Sequence, residues 1–189
     1  MRPLYPLAIG LLLTAAAAGQ DVPARFGVLH NPDLYKQDSP QDVLAAALGA
    51  VNRERYDYLA AHLLDPEWVD GRLATNRAYY DRVAGEQIVS TAAGAALRGA
   101  DLDARVREVS TRLNFQRLTG DIRRKLGDEP GNVRELARFA REGQFQVAGD
   151  TAKATLKDVP DRALYFKKAN NRWFIENRKD EAAGPPAKE

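Results

Sequence analysis

The chain has 189 residues, of which 44% are hydrophobic and 29% charged, and its formal net charge is +2. This length and composition suit one globular domain with short appendages. Acidic and basic side chains are interspersed, so the sequence has no strongly basic region of the kind that binds nucleic acid. The chain has no cysteine, which excludes disulfides, a thiol nucleophile and thiolate metal ligands.

The first 18 residues have the features of a secretory signal peptide. Arg2 provides the positive charge, and residues 7–18 form an apolar run that is too short to span a bilayer and ends in small residues. We expect cleavage near Ala18, a periplasmic or extracellular location, and no integral membrane segment in the mature chain. An uncleaved N-terminal anchor is the alternative.

Two segments flank a predicted single domain of residues 40–178. Residues 19–39 are polar and contain prolines, but they also carry apolar side chains. We therefore expect an extended leading segment, part of which lies against the domain. Residues 179–189 are charged and rich in proline and glycine, and they predict a disordered tail.

The first predicted helix begins at a capping signal. Ser39 can cap the helix, Pro40 suits its first position, and Asp42 stands where a capping box has its carboxylate. A second helix is expected over residues 54–64. At about 100° per residue, His62 points away from the apolar face of that helix and hence towards solvent.

Asp65 and Pro66 mark the start of a third predicted helix. We expect this single helix to continue as far as Val83, with these residues buried: Trp68, Val69, Leu73, Tyr79, Tyr80 and Val83. Residues 85–100 are rich in glycine and alanine, and they fit a strand, a frayed helix or a loop. A helical period returns over residues 101–126, with a kink expected at Thr119 and Gly120.

The last predicted helix follows a loop at residues 127–131. Asn132 and Glu135 have the spacing of a capping box, and Gly143 supplies a stop signal.

Residues 144–177 form the only stretch with a period close to two, and they predict two successive β-hairpins. Gly149-Asp150 suits the first turn and Asn170-Asn171 the second, because glycine and asparagine tolerate positive φ angles. The resulting register sets Phe145 opposite Ala154, and Phe166 opposite Ile175.

This register separates the two faces of the sheet. The face expected to carry the helices is apolar, with Phe145, Val147, Leu156, Leu164, Phe166, Trp173 and Ile175. The other face, termed the mixed face below, combines aromatic and charged side chains: Tyr165, Lys167, Phe174 and Glu176. A ligand or partner is expected on the mixed face. The alternative is a solvated surface whose two aromatic residues are covered by a helix or by the tail.

Helices first and antiparallel strands last, without β-α-β alternation, predict an α+β fold. In it, N-terminal and central helices pack on one face of a C-terminal antiparallel sheet of about four strands. The helical pair DVLAAALGAVNRERYDYLAAHLLDP and the closing NNRWFIEN resemble the nuclear-transport-factor-two-like superfamily, the cystatin-like α+β roll. The resemblance covers residues 39–65 and 144–177, and a mainly helical stretch, residues 66–142, replaces the early strands of that superfamily.

The resemblance implies either a domain that binds a small ligand or partner, or an isomerase- or dehydratase-like enzyme. No motif of those enzymes matches this chain position by position, so no catalytic residue is carried over.

Few side chains could support catalysis. His62 has Tyr58 one turn before it and Asp65 three residues after it, a trio that could hold an imidazole in one tautomer for acid–base chemistry. The predicted helical wheel favours a surface histidine instead. No nucleophile-elbow, Walker or dinucleotide-binding motif occurs, and we expect no cofactor.

Metal binding is not expected either. His30 and His62 are too far apart in sequence for a local motif, and Asp65, Glu67 and Asp70 lack the glycine and ligand spacing of a calcium loop. Arginines in residues 101–126 alternate with acidic residues, as on a solvated helix. An arginine-lined groove for acidic polymers is the alternative.

These observations predict an exported, non-catalytic α+β domain that binds a small ligand or a protein partner. The candidate ligand-binding residues are Tyr165, Lys167, Phe174, Glu176, Tyr58 and His62. One alternative is a small hydrolase- or lyase-like enzyme, which needs at least two of His62, Tyr58, Tyr165 and Glu176 to converge within hydrogen-bond reach in a concave pocket. Another is a structural component of the cell envelope, which would show an exposed apolar patch on the helices of residues 101–142.

Overall fold

A computed structural model describes residues 24–178, so the predicted signal peptide and tail lie outside the described residues. Within this range the protein is an α+β fold of seven α-helices, one π-helix and a four-stranded antiparallel sheet. The helices are α1 Pro40–Asn52, α2 Tyr56–Tyr58, the π-helix Leu59–Leu63, α3 Pro66–Thr75, α4 Arg77–Val89, α5 Ala92–Ala95, α6 Gly99–Asp128 and α7 Pro130–Glu142. The strands are β1 Gln144–Ala148, β2 Thr151–Leu156, β3 Val159–Ala169 and β4 Arg172–Glu176.

Helix α1 begins as its sequence predicts. The backbone N–H of Asp42 donates to the Ser39 hydroxyl at 3.1 Å, and that hydroxyl donates to the Asp42 carboxylate at 2.6 Å. Pro40 occupies the first turn. Val43 and Leu44 are completely buried, so the 3.6-residue period places its apolar face in the core.

The third predicted helix is divided in two. Helix α3 ends at Thr75, the N–H of its C-cap residue Asn76 donates to the carbonyl of Leu73, and α4 starts at Arg77. The prediction that Tyr79 is buried is wrong, since 57% of this residue is exposed. Asn76 leaves the helical conformation at φ −102° and ψ 4°, so the helical period is interrupted and one helical wheel does not describe both halves. Helix α4 instead buries Ala84 and Ile88 against α6 in a small second core.

Residues 85–100 complete α4 and then form the short helix α5. The Thr91 hydroxyl caps α5 by accepting from the N–H of Gly94. A Cβ at Gly94 would lie 2.0 Å from the carbonyl oxygen of Ile88, so this close approach requires glycine. Helix α6 then continues uninterrupted through Thr119 and Gly120.

Helix α7 begins earlier than predicted. Pro130 occupies its first turn, so Asn132 lies inside the helix and the proposed capping box with Glu135 is wrong. The Asn132 side chain donates instead to the Glu129 carboxylate at 2.7 Å. The predicted end at Gly143 is confirmed.

Both hairpins have the predicted register. Phe145 pairs with Ala154, and Phe166 pairs with Ile175. The first turn places Gly149 at φ 60°, and the second places Asn170 and Asn171 at φ 49° and 60°. The local turn chemistry thus fixes the strand pairing.

Substituting Gly149 with valine is expected to lower the free energy of unfolding by about 1–2 kcal/mol, because a β-branched residue tolerates positive φ poorly. A Cβ at this position would meet no atom within 4 Å, so the loss of stability comes from the strained backbone conformation and not from a steric clash with neighbouring residues. Urea denaturation of Gly149→Val measures it, with Asp150→Ala as the neighbouring control. Equal stability of Gly149→Val and the parent protein would contradict the positive φ angle.

The helix-facing side of the sheet is largely buried, as predicted. Leu156, Phe166 and Trp173 join the main core with α1 and the π-helix. Val147 is the exception, because it lies on the edge strand β1 and is 56% exposed. Its predicted place in the helix-covered platform is therefore wrong.

The leading segment closes the other edge of the sheet. The N–H of Trp173 donates to the carbonyl of Gln37 at 2.9 Å, and the Gln37 side-chain amide donates to the carbonyls of Trp173 and His62, each at 2.8 Å. Next along β4, the N–H of Asp65 donates to the carbonyl of Ile175 at 2.9 Å. The expectation that part of this segment lies against the domain is confirmed.

Two observations concern membranes and surfaces. None of the helices formed by residues 24–178 is both long and apolar enough to cross a membrane.

The large apolar side chains that are exposed in this range are Leu29, Leu34, Tyr79, Val89 and Val147. None belongs to residues 101–142, where the cell-envelope alternative requires an apolar patch.

Candidate functional site

The candidate site with the most apolar wall is a cavity of about 440 Å³ between helices and sheet, termed here the helix–sheet cavity. Its apolar walls come from α1, the π-helix and the residue after it, α6, α7, β3 and β4. The apolar lining residues are Ala47, Val51, Leu59, Leu64, Ile122, Leu126, Leu136, Phe139, Leu164 and Ile175. Four polar residues complete the lining: Lys125, Asn132, Glu135 and Asn177. An apolar cavity with a few polar groups is the usual form of a small-molecule site.

None of the six predicted ligand-binding residues lines this cavity. The sequence did carry a signal for it, because Ile122 and Leu126 on α6, and Leu136 and Phe139 on α7, follow helical spacing. What the sequence could not show is that α6 and α7 meet over the sheet and leave space between them.

Tyr58 and His62 form a second, buried cluster. Their ring centroids are 4.8 Å apart, and only 1% of Tyr58 and 2% of His62 is exposed. Tyr35 stacks on Tyr58 at 4.1 Å, and His30 lies 5.2 Å from His62 between ring centroids. The fold thus brings together the two histidines that are far apart in sequence.

The expectation that His62 faces solvent is wrong. His62 belongs to the π-helix, in which the N–H of Leu64 donates to the carbonyl of Leu59 five residues earlier. A π-helix has a wider turn than an α-helix, so successive side chains are separated by less than 100°. The α-helical wheel therefore misplaces His62, which turns inwards and donates from Nε2 to the Val28 carbonyl at 2.8 Å.

Burial controls the protonation of this cluster. It lowers the pKa of both His30 and His62, and the nearby guanidinium of Arg172 lowers both further. Burial also raises the pKa of Tyr58, whose hydroxyl contacts the backbone of Asn31. The cluster is therefore held neutral near pH 7, with its polar atoms directed at the leading segment.

The mixed face of the sheet carries the other four predicted residues. Tyr165 and Glu176 are cross-strand neighbours, and Arg178 lies over the Tyr165 ring and donates to Glu176. Lys167 forms an ion pair with Glu67 at 2.6 Å, which raises the pKa of Lys167.

Phe174 is the buried member of the mixed face, with 2% exposure. The guanidinium carbon of Arg172 lies 5.3 Å from its ring centroid, and Arg172 Nη1 is 3.3 Å from Nε2 of His30. Arg172 therefore connects the mixed face to the histidine cluster.

The predicted residues consequently fall into two groups. Tyr58 and His62 are buried and hydrogen-bonded to the leading segment, whereas Tyr165 and Glu176 share a contact with Arg178. Neither member of the first pair lines the helix–sheet cavity. Tyr58 lines a second cavity of about 680 Å³ beneath the leading segment, but His62, Tyr165 and Glu176 are not among the residues that line it, so the two side chains that the enzyme alternative requires do not meet in one pocket. Within residues 24–178, no group of three or more histidine, aspartate and glutamate side chains is placed to hold a metal ion.

Comparisons with protein-family models, with curated proteins and with solved structures found no match for this chain. Its four-stranded antiparallel sheet and α+β class are compatible with the nuclear-transport-factor-two-like fold.

Proposed function

We propose that this chain is an exported, non-catalytic binding domain of the nuclear-transport-factor-two-like type, and that it holds a small apolar molecule in the helix–sheet cavity. The observation that carries this proposal is the largely apolar wall of the cavity. Its volume of about 440 Å³ also lies within the range of about 300–1,000 Å³ that is usual for small-molecule sites.

The composition of the cavity wall supports an apolar occupant. Ten of the fourteen lining residues are apolar, and they belong to elements that are otherwise well packed. Transfer of apolar surface from water into such a cavity is favourable by roughly 25 cal/mol per Å². Export is supported by the features of residues 1–18, in which a basic residue precedes a short apolar run and a small-residue cleavage site.

The neutral fluorescent probe N-phenyl-1-naphthylamine is expected to bind the parent protein saturably, with one site per chain. Leu136→Trp places a larger side chain at the cavity wall and should weaken binding by about tenfold, roughly 1.4 kcal/mol. A fluorescence titration measures both affinities, and thermal melting checks that each variant is folded.

Val89→Trp is the matched control, because it adds the same side chain at a position on α4 that is 52% exposed. It should leave probe affinity unchanged. Absence of saturable binding to the parent protein, or equal weakening by both substitutions, would refute the cavity as the binding site.

A further inference from the structure

The mouth of the helix–sheet cavity has one charged group that lacks a partner. Of its two charged residues, Glu135 is ion-paired with Arg162 on β3. Lys125 has no carboxylate oxygen within 4.0 Å of its ammonium among the described residues. Lys125 is therefore the charged residue of the cavity lining that forms no ion pair within residues 24–178.

The acidic residues nearest to Lys125 in sequence are Asp121, Asp128 and Glu129, and none of them forms an ion pair with it. The Asp121 carboxylate, one turn before Lys125, pairs with Arg117 and Arg124, and the Glu129 carboxylate accepts from the Asn132 side chain at 2.7 Å. A lysine in the last turn of a helix is common because it complements the helix dipole. What distinguishes Lys125 is that its side chain also lines the cavity.

Lysine is suited to such a position. Its methylene chain can lie along apolar surface while its ammonium stays at the water boundary. An ammonium is a compact point charge that pairs with a single carboxylate without the planar geometry that arginine requires.

We infer that the ligand of the helix–sheet cavity is a monoanionic amphiphile, with its apolar part between α1, α6 and α7 and its carboxylate at Lys125. This inference rests on the proposed function, and it adds the chemical class of the ligand. The side-chain amide of Asn177 lines the same cavity and can donate a hydrogen bond to a carboxylate.

The test compares two amphiphiles of equal chain length, decanoate and decylammonium, below their micellar concentrations. Each displaces N-phenyl-1-naphthylamine from the parent protein in a fluorescence titration. Decanoate should displace the probe at about a fivefold lower concentration than decylammonium, as expected for one partly solvated ion pair.

Lys125→Met should abolish this preference while retaining probe binding, and Lys125→Glu should reverse it. Lys157→Met, at an exposed lysine in the β2–β3 connection, is the control and should preserve it.

The outcomes separate the two proposals. Saturable probe binding with equal displacement by both amphiphiles, or an unchanged preference in Lys125→Met, overturns the inference and leaves the cavity proposal intact. If the probe itself does not bind the parent protein, the proposed function fails, and the assignment of the ligand class fails with it.

Discussion

Trp173→Ala is expected to lower the free energy of unfolding by about 3–5 kcal/mol, the range observed when a buried aromatic side chain is replaced by alanine. Trp173 is 5% exposed on β4 and belongs to the main core with α1, α7 and the π-helix. The loss combines reduced burial of apolar surface with a cavity that rigid neighbours cannot fill.

Chemical denaturation in urea measures the effect, and Val147→Ala is the matched control. The two residues share a face in the strand register, but Val147 is 56% exposed, so its replacement should change stability by no more than about 0.5 kcal/mol. A loss at Trp173 as small as that expected at Val147 would contradict the register of the second hairpin.

Acidification below about pH 6.5 is expected to destabilise the protein through its two histidines. Burial lowers the pKa of His30 and His62 in the folded state, whereas in the unfolded chain both titrate near 6.5. Between the lowered folded-state pKa and the unfolded pKa, the unfolded chain binds more protons, so the free energy of unfolding falls as the pH falls. The stability that comes from keeping the two histidines neutral is fully present above pH 6.5 and is lost as the pH decreases towards the folded-state pKa.

The slope of the free energy of unfolding against pH should not exceed about 1.4 kcal/mol per pH unit for each histidine. Urea denaturation between about pH 7.5 and 5.5 measures it, above the range in which ordinary carboxylates titrate. His62→Gln should reduce the slope, whatever its effect on absolute stability. Stability that stays constant or rises over this interval would show that the histidines are not held neutral by burial.

Local signals predicted those parts of the fold that depend on neighbours in sequence. The start of α1 follows from Ser39 and Pro40, because a capping hydroxyl and a fixed φ angle act within one turn. The hairpin registers follow from Gly149 and Asn170-Asn171, because a two-residue turn determines which residues pair. The α+β class follows from the order of these elements along the chain.

Local signals failed where competing signals lay close together. Asn132 and Glu135 have the spacing of a capping box, but Pro130 begins α7 two residues earlier. Tyr79 continues the apolar spacing of α3, but the break at Asn76 removes it from that face. In both cases the helix boundary, which sequence patterns locate poorly, decided the environment of the side chain.

The candidate sites were less predictable from the sequence than the helices and hairpins, because they depend on contacts between segments that are distant in the chain. His62 is buried because a π-helix replaces the expected α-helix, and its partner is a carbonyl of the leading segment 34 residues away. The helix–sheet cavity is enclosed by residues of α1, α6, α7, β3 and β4, an arrangement that no single segment specifies. The strand register correctly predicted which residues share the mixed face. Its two charged residues nevertheless form ion pairs within the protein, Lys167 with Glu67 and Glu176 with Arg178.

The sequence by itself thus determined the start of α1, the two hairpin turns and the strand pairing of this protein, since each depends on interactions between residues that are near in the chain. Only the tertiary structure decided which face of the π-helix is buried, which strand edge the leading segment covers, and where a cavity remains. These features arise from packing between distant segments, and the shape of the space left between them is not encoded in any local period.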